Sequence, residues 1–185
     1  MRTYTGLFLS MLLMLTGCDQ ADRTPDKELS PPLISAAEKG DVASIDQLLA
    51  QNPAVDVRDA CQWTPLMKAA LNGHLEVVKQ LISAGANVDL TDQGGYSAMM
   101  LAASNNHYRV VDYLIDAGAD IDRVETTAGW TALIWAAKQG HSETVSILLE
   151  QQANPHLTDL DGKTALDWAR AGNHQAVISH LENLP

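Results

Sequence analysis

One short stretch recurs four times in this chain, and its spacing constrains the fold more than any single residue does. The clearest copy reads Thr64-Pro65-Leu66-Met67-Lys68-Ala69-Ala70. It returns as Ser97-Ala98-Met99-Met100-Leu101-Ala102-Ala103 and as Thr131-Ala132-Leu133-Ile134-Trp135-Ala136-Ala137. A more diverged copy, Thr164-Ala165-Leu166-Asp167-Trp168-Ala169, lies near the end. The starts are separated by 33, 34 and 33 residues. Pro32, Leu33 and Ala36-Ala37 stand 33 residues before Pro65, Leu66 and Ala69-Ala70, which adds a fifth, N-terminal copy. A fixed period of this size marks a stacked repeat, in which each unit buries its apolar face only against its neighbours.

The composition says what such a stack packs with. Hydrophobic residues make up 46% of the chain but aromatics only 5%, so the core must be built from Ala, Leu, Val, Ile and Met. Those residues suit closely approaching helices. The formal charge is −11, and a field of that sign repels phosphate backbones, so nucleic acid is not an expected partner. Acidic surfaces also serve solubility alone.

Within the second copy, Pro65 suits the first turn of a helix, where its missing N–H would be unpaired anyway. Leu66, Ala69 and Ala70 recur at helical spacing, and Asn72-Gly73 ends the helix with a residue able to turn left-handed. Asn106, Gly140 and Asn173 hold that place later. A second helix follows from Leu75 to Ser83, with Val78, Leu81 and Ile82 on one face. The loop through Asn87-Val88-Asp89 and Asp92-Gln93-Gly94-Gly95 has the Asp and Gly content of tight turns. Helix, turn, helix and projecting turn at this period closely resemble the ankyrin repeat. Gly73-His74-Leu75-Glu76-Val77-Val78 and Gly85-Ala86-Asn87-Val88-Asp89 match its later signature. The resemblance covers about residues 32–183. It implies an all-α, ankyrin-repeat solenoid of about five helix-turn-helix units with projecting β-turn loops. The units are expected at about 32–58, 59–91, 92–124, 125–158 and 159–184.

Departures from the family pattern carry expectations of their own. Met67, Met100, Ile134 and Asp167 occupy the place of the family's His, so the hydrogen bonds of that His should be missing. Gln62 stands where the turn Gly is usual. One extra residue lies within Glu125-Thr126-Thr127-Ala128, so that turn should protrude or bend differently. Polar additions to the last copy, Asp167, Arg170 and His180, suit a cap whose outer face meets water.

Residues 1–17 read as a lipoprotein signal peptide: Arg2, then an apolar run from Gly6 to Leu15. That run is too short to span a bilayer, which takes about 20 residues. Leu15-Thr16-Gly17-Cys18 resembles the bacterial lipobox, which implies cleavage before Cys18 and its acylation. Two or more acyl chains anchor a protein stably. Asp19 resembles the signal for retention at the inner membrane, facing the periplasm, with the outer membrane as the other reading. Residues 18–31 then form a polar tether ahead of a domain at 32–184. With Cys18 acylated, Cys61 would be a lone thiol, either tolerated or redox-responsive.

No constellation points to catalysis, a cofactor or a metal. His74, His107, His141 and His174 share one register, but the resemblance implies stacked ankyrin units about 10 Å apart, whereas the ligands of one zinc lie about 2.0–2.1 Å from it. They are expected to brace their own turns. Asp159-Leu160-Asp161-Gly162 lacks the further oxygen ligands of a calcium loop. Directly before each repeat motif stand Trp63, Tyr96, Trp130 and Lys163. In the family this position and the end of the first helix line the concave partner-binding surface. The helix-end residues here are Leu71, Asn72, Ser104, Asn105, Lys138 and Gln139. Trp and Tyr are enriched at binding hot spots, and exposed on turns they would serve as anchors. The other reading packs each ring on its adjoining turn. Trp135 and Trp168 should pack between repeats. The chain thus reads as a membrane-anchored, non-catalytic protein-binding module, accessory or protective in role, for a protein partner with basic patches. A structural spacer or a redox regulator using Cys61 is the opposed class.

Overall fold

The structure is a computed structural model that describes residues 31–51 and 54–183. The signal peptide, Cys18, Asp19 and nearly all of the tether lie outside the described residues. Ten helices occur among those described, in five consecutive pairs. These are α1 (Pro32–Lys39), α2 (Val42–Gln51), α3 (Pro65–Leu71), α4 (Leu75–Ser83) and α5 (Ala98–Ser104). Then come α6 (Tyr108–Asp116), α7 (Ala132–Gln139), α8 (Ser142–Glu150), α9 (Ala165–Ala171) and α10 (Gln175–Glu182). At 7–10 residues none would be stable alone in water, so the stack itself must hold them. Odd-numbered helices pack in one row and even-numbered helices in a second, and each pair packs on the next. No described helix is long and apolar enough to cross a membrane.

The recurring motif builds the first row. Ala69, Ala70, Ala102, Ala103, Ala136 and Ala137 are all fully buried, since only a methyl group fits where consecutive helices approach closely. Thr64, Ser97, Thr131 and Thr164 cap these helices, each side-chain oxygen accepting from the backbone N–H three residues on. The second row buries Val77, Val78 and Leu81, then Val110, Val111 and Leu114, and later Val145, Leu148, Val177 and Leu181. Ile82, expected on that face, is only half-buried.

Two expectations need correction here. The family's His bonds are not all lost, because Asp167 restores them. Its Oδ2 accepts from Thr164 N at 2.9 Å and from Thr164 Oγ1 at 2.8 Å, and these bonds hold its carboxyl below the usual range. Nor do the four histidines brace their own turns. Each starts a second-row helix, yet its Nε2 reaches back to the preceding unit. The acceptors are Glu38 O (3.1 Å), Leu71 O (3.0 Å), Ser104 O (3.1 Å) and Lys138 O (3.0 Å). A carbonyl cannot donate, so Nε2 carries the hydrogen. Each acceptor belongs to the last turn of a first-row helix, where carbonyls lack partners within the helix. The ladder therefore ties unit to unit. A second ladder does the same with acids: Asp56, Asp89 and Asp122 accept from Asn87 N, Asp120 N and Asn154 N of the next unit. Part of the negative charge is thus structural.

His107 gives the domain a pH dependence. Burial lowers the pKa of His107 from 6.5, and the neighbouring His74 and His141 lower it further. The folded state therefore binds fewer protons than the unfolded state below about pH 6.5. Stability should fall as pH drops from 7.5 to 5. The urea midpoint is expected to decrease over that window, and to decrease less in His107→Gln; equal slopes would remove His107 from the account.

Gln62 adopts φ +67°, a left-handed conformation that costs a side-chain-bearing residue about 1–2 kcal/mol. Gly95, Gly129 and Gly162 take the same conformation in the later turns. Gln62→Gly is expected to stabilise the domain by about 0.5–1 kcal/mol after glycine's extra unfolded-state entropy. Thermal or urea denaturation measures it, and a lower midpoint would show that Gln62 contributes through its contact with Arg58.

Candidate partner-binding face

Each projecting turn is closed by a carboxyl group, half-buried at Asp59 and Asp92 and buried at Asp159, a role that sequence reasoning did not single out. Asp59 Oδ1 accepts from Cys61 N and Trp63 N, both at 2.9 Å. Asp92 Oδ1 accepts from Gly94 N at 2.8 Å and Tyr96 N at 2.9 Å. Asp159 Oδ1 accepts from Asp161 N at 3.0 Å and Lys163 N at 2.9 Å. In each turn the second donor is the residue just before the repeat motif, so the carboxyl fixes where that side chain leaves the backbone. Burial pushes the Asp92 carboxyl above its usual range despite these bonds.

The turn with one extra residue solves the same problem differently. Glu125, only 1% exposed, replaces the aspartate. Its Oε1 accepts from Ala128 N at 2.8 Å and Trp130 N at 3.0 Å, and its Oε2 accepts from Thr127. The two donors to Oε1 each lie one position further along the chain than the donors in the other turns. A side chain longer by one methylene spans the longer turn. That turn does not swing away: Thr126 N bonds Gly94 O at 3.1 Å, and Leu160 N bonds Ala128 O at 3.0 Å. Adjacent turns are thereby zipped into one edge.

The aromatics at the key position are not exposed anchors, which corrects the expectation for two of them. Trp63 is 8% exposed and Trp130 is 7% exposed, while Tyr96 is half-buried with its hydroxyl 3.0 Å from Thr127 Oγ1. The physical reason is that the indoles have better partners inside. Trp130 stands perpendicular to Trp135 at 4.4 Å between ring centroids and to Trp168 at 5.5 Å. Trp130 Nε1 and Trp168 Nε1 both donate to Asp159 Oδ2, at 3.0 and 2.8 Å. One carboxyl oxygen so holds an indole from each of two consecutive units. Burial raises the proton affinity of Asp159, but the bonds it accepts from Lys163 N, the two indoles and Asp161 N outweigh that, and its pKa is lowered.

Lysines cover this aromatic shelf. Lys138 Nζ lies 4.1 Å from the Trp130 ring centroid and 4.3 Å from that of Trp168. Lys163 Nζ lies 4.3 Å from Trp168 as well. Burial and the nearby Lys163 charge lower the Lys138 pKa, against the pull of Asp159. In the second unit Lys68 Nζ sits 4.7 Å above Trp63 and pairs with Glu38 Oε1 at 3.1 Å. The turn edge also exposes Leu160 at 75% and Val124 at 47%. Leu160 entered the sequence reading only within the Asp159-Leu160-Asp161-Gly162 turn, and Val124 not at all.

The other residues named for this face occupy it unevenly. Asn72 and Asn105 are exposed, but their Nδ2 groups bond Lys68 O and Leu101 O and so serve to end their own helices. Leu71 and Gln139 are half-buried. Cys61 is not a free thiol, contrary to the lone-thiol reading. Among the described residues no group of three or more His, Cys, Asp or Glu side chains is placed to hold a metal ion.

Five helix pairs, joined by carboxyl-closed turns that align along one edge, define a helical repeat solenoid. The chain belongs to the ankyrin-repeat family: the family model described as Ankyrin repeats (3 copies) matches residues 33–125, and one described as Ankyrin repeats (many copies) matches residues 102–149. Ankyrin repeats are generally non-catalytic modules that bind other proteins. Similar segments occur in much longer proteins. A probable E3 ubiquitin-protein ligase XBOS34 of Oryza sativa subsp. japonica is 48% identical over 28% of this chain and 10% of that protein. Palmitoyltransferase AKR1 of Lachancea kluyveri is 43% identical over 29% of this chain and 7% of its own length. The E3 ubiquitin-protein ligase hecd-1 of Caenorhabditis elegans is 45% identical over 29% of this chain and 2% of its own length. The matches span only a small part of each relative and fall within ankyrin repeats, so they bear on the repeat and not on the relatives' activities.

Proposed function

We propose that this protein is a membrane-tethered, periplasm-facing binding module that grips a protein partner with the turn edge of its third to fifth units. The observation that carries this reading is the arrangement at Trp130 and Trp168: a rigid aromatic shelf, two lysines laid over it, and Leu160 standing 75% exposed beside them. Shape and side-chain positions are fixed there before any partner arrives, which lowers the ordering cost of association. Leu160 in the next turn, packed beside Gly129, adds an exposed apolar contact next to the shelf. The named residues Trp63, Tyr96 and Trp130 act in this reading through the floor they provide. Lys138 and Lys163 supply the contacting groups, with Asn105 and Gln139 in the same units and Leu71 and Asn72 at the matching helix end of the second unit. The role is accessory or protective: the module either holds an envelope protein or blocks one.

The Leu-Thr-Gly-Cys sequence directly after an apolar run supports the anchor, and Asp19 supports the inner membrane. Acylation takes the Cys18 sulfur as a thioether, so it competes with any disulfide at that atom. Mass spectrometry of the mature N-terminal peptide should find diacylglycerol on Cys18, and an unmodified or disulfide-linked Cys18 would remove the lipid anchor. For the binding face, a photo-crosslinking amino acid placed at Leu160 should capture a discrete protein in cells, whereas one placed at the exposed Glu76 of α4 should not. Equal capture at both sites, or none at either, would sink the assignment of this edge.

A further inference from the structure

We infer that the fifth helix pair, α9 and α10, opens locally from the fourth, that Asp159 is the clasp closing it, and that partner binding is linked to the closed state. This rests on the proposed binding edge and adds a conformational step to it. The edge is built across one junction. Lys138 and Trp130 come from the fourth unit, while Lys163, Trp168 and Leu160 come from the fifth. Detaching the fifth unit takes the edge apart, so a partner that grips both sides holds the junction shut.

Burial decides that this pair can open by itself. α7 buries every residue from Ala132 to Ala137, whereas α9 buries only Ala165, Trp168 and Ala169. Leu166 is half-buried, while its counterparts Leu66 and Leu133 are 2% exposed. α10 buries Val177 and Leu181. Among the described residues, the pair packs on the fourth pair alone. Elements with little buried apolar surface open at a lower free energy than the whole domain.

The ties that oppose opening converge on one carboxyl group. Asp159 Oδ2 accepts from Trp130 Nε1 across the junction and from Trp168 Nε1, and Oδ1 accepts from Asp161 N and Lys163 N. Four N–H donors on two oxygens call for a group that only accepts, which an ionised carboxylate is and an amide is not. Two other bonds cross the junction, Leu160 N to Ala128 O and His174 Nε2 to Lys138 O, each at 3.0 Å. Only Asp159 takes hold of a ring on each side.

Hydrogen exchange of the full chain in detergent micelles, read by mass spectrometry of peptic fragments, tests the opening and the clasp. Fragments of α9 and α10 should exchange faster than those of α5 to α8. In Asp159→Asn the new amide N–H group meets either the indole donors or the turn donors, so exchange of α9 and α10 should quicken at least about tenfold. Fragments of α4 and α6 should keep their rates. Trp130→Phe with Trp168→Phe removes both indole donors and keeps rings in place, so adding Asp159→Asn to that pair should bring little further acceleration. The full acceleration in the phenylalanine background would confine Asp159 to its turn and overturn the clasp. Equal exchange of α9–α10 and α5–α8 in the unaltered chain would overturn the local opening. In the complex captured through the photo-crosslinker at Leu160, α9 and α10 should exchange more slowly than in the free chain, with α4 unchanged. No slowing there would overturn the link to binding. Absence of any captured complex would sink the binding edge and the link with it, while exchange of the free chain would still decide the opening and the clasp.

Discussion

Trp135→Ala should destabilise the domain by about 3–5 kcal/mol, the range for emptying a buried tryptophan site. Trp135 is 2% exposed and is among the largest fully buried side chains of the described chain. It joins three units: its own helix, the Tyr96 ring of the preceding turn at 6.1 Å, and the Trp130 ring at 4.4 Å, which in turn meets Trp168 of the last unit. Its Nε1 has no hydrogen-bond partner, so its contribution comes from packing. Removing it leaves a cavity under the shelf that carries Lys138. Urea unfolding followed by circular dichroism measures the loss. Trp135→Phe should cost clearly less, since the ring contacts survive in part and no hydrogen bond is forfeited. A loss below about 1 kcal/mol for the alanine variant would mean that the aromatic cluster is not the core of these units.

The second large effect belongs to Glu125. Glu125→Asp should cost about 2–3 kcal/mol although it keeps the charge. The shortened side chain falls about 1.5 Å short and leaves the buried Trp130 N–H and its neighbours without an acceptor. Deleting Thr127 in the same variant makes the turn read Asp-Thr-Ala-Gly-Trp, the length of the Asp92–Tyr96 turn. Most of the lost stability should then return, while the deletion alone, with Glu125 retained, should destabilise. Additive losses in the double variant would contradict the matching of side-chain length to turn length. Neither measurement depends on the partner, so both test the scaffold by itself.

The way these two residues entered the account shows what kinds of information a sequence holds. Position 125 was recognisable as irregular because the period changes from 33 to 34 there. That the irregularity would be absorbed by one methylene needed the hydrogen-bond partners. In the sequence Asp92 reads only as a residue favouring a turn and Asp159 only as part of an incomplete calcium loop; the place of Asp59, Asp92 and Asp159 as the acceptors that aim Trp63, Tyr96 and Lys163 is a tertiary fact. The histidines likewise were legible as a ladder in register. Their direction, back to the carbonyls of the preceding unit, was not, because a ring at the start of a helix can reach either its own turn or the unit before it.

Periodicity is local information repeated, so it determined the repeat length, the two helices per unit, the small residues between them and the family. Those features depend on spacing along the chain, which a sequence states directly. Exposure depends on what lies across from a residue, and only the tertiary structure decided it. The same position before each repeat motif holds a buried Trp63, a half-buried Tyr96, a buried Trp130 and a lysine over a ring. Their fates differ because each meets a different partner: Lys68 of its own unit over Trp63, but Thr127 and Asp159 of the next unit beside Tyr96 and beneath Trp130. The repeat put these residues in line, and packing between units turned the aromatic row into a floor and left Lys138, Lys163 and Leu160 at its surface.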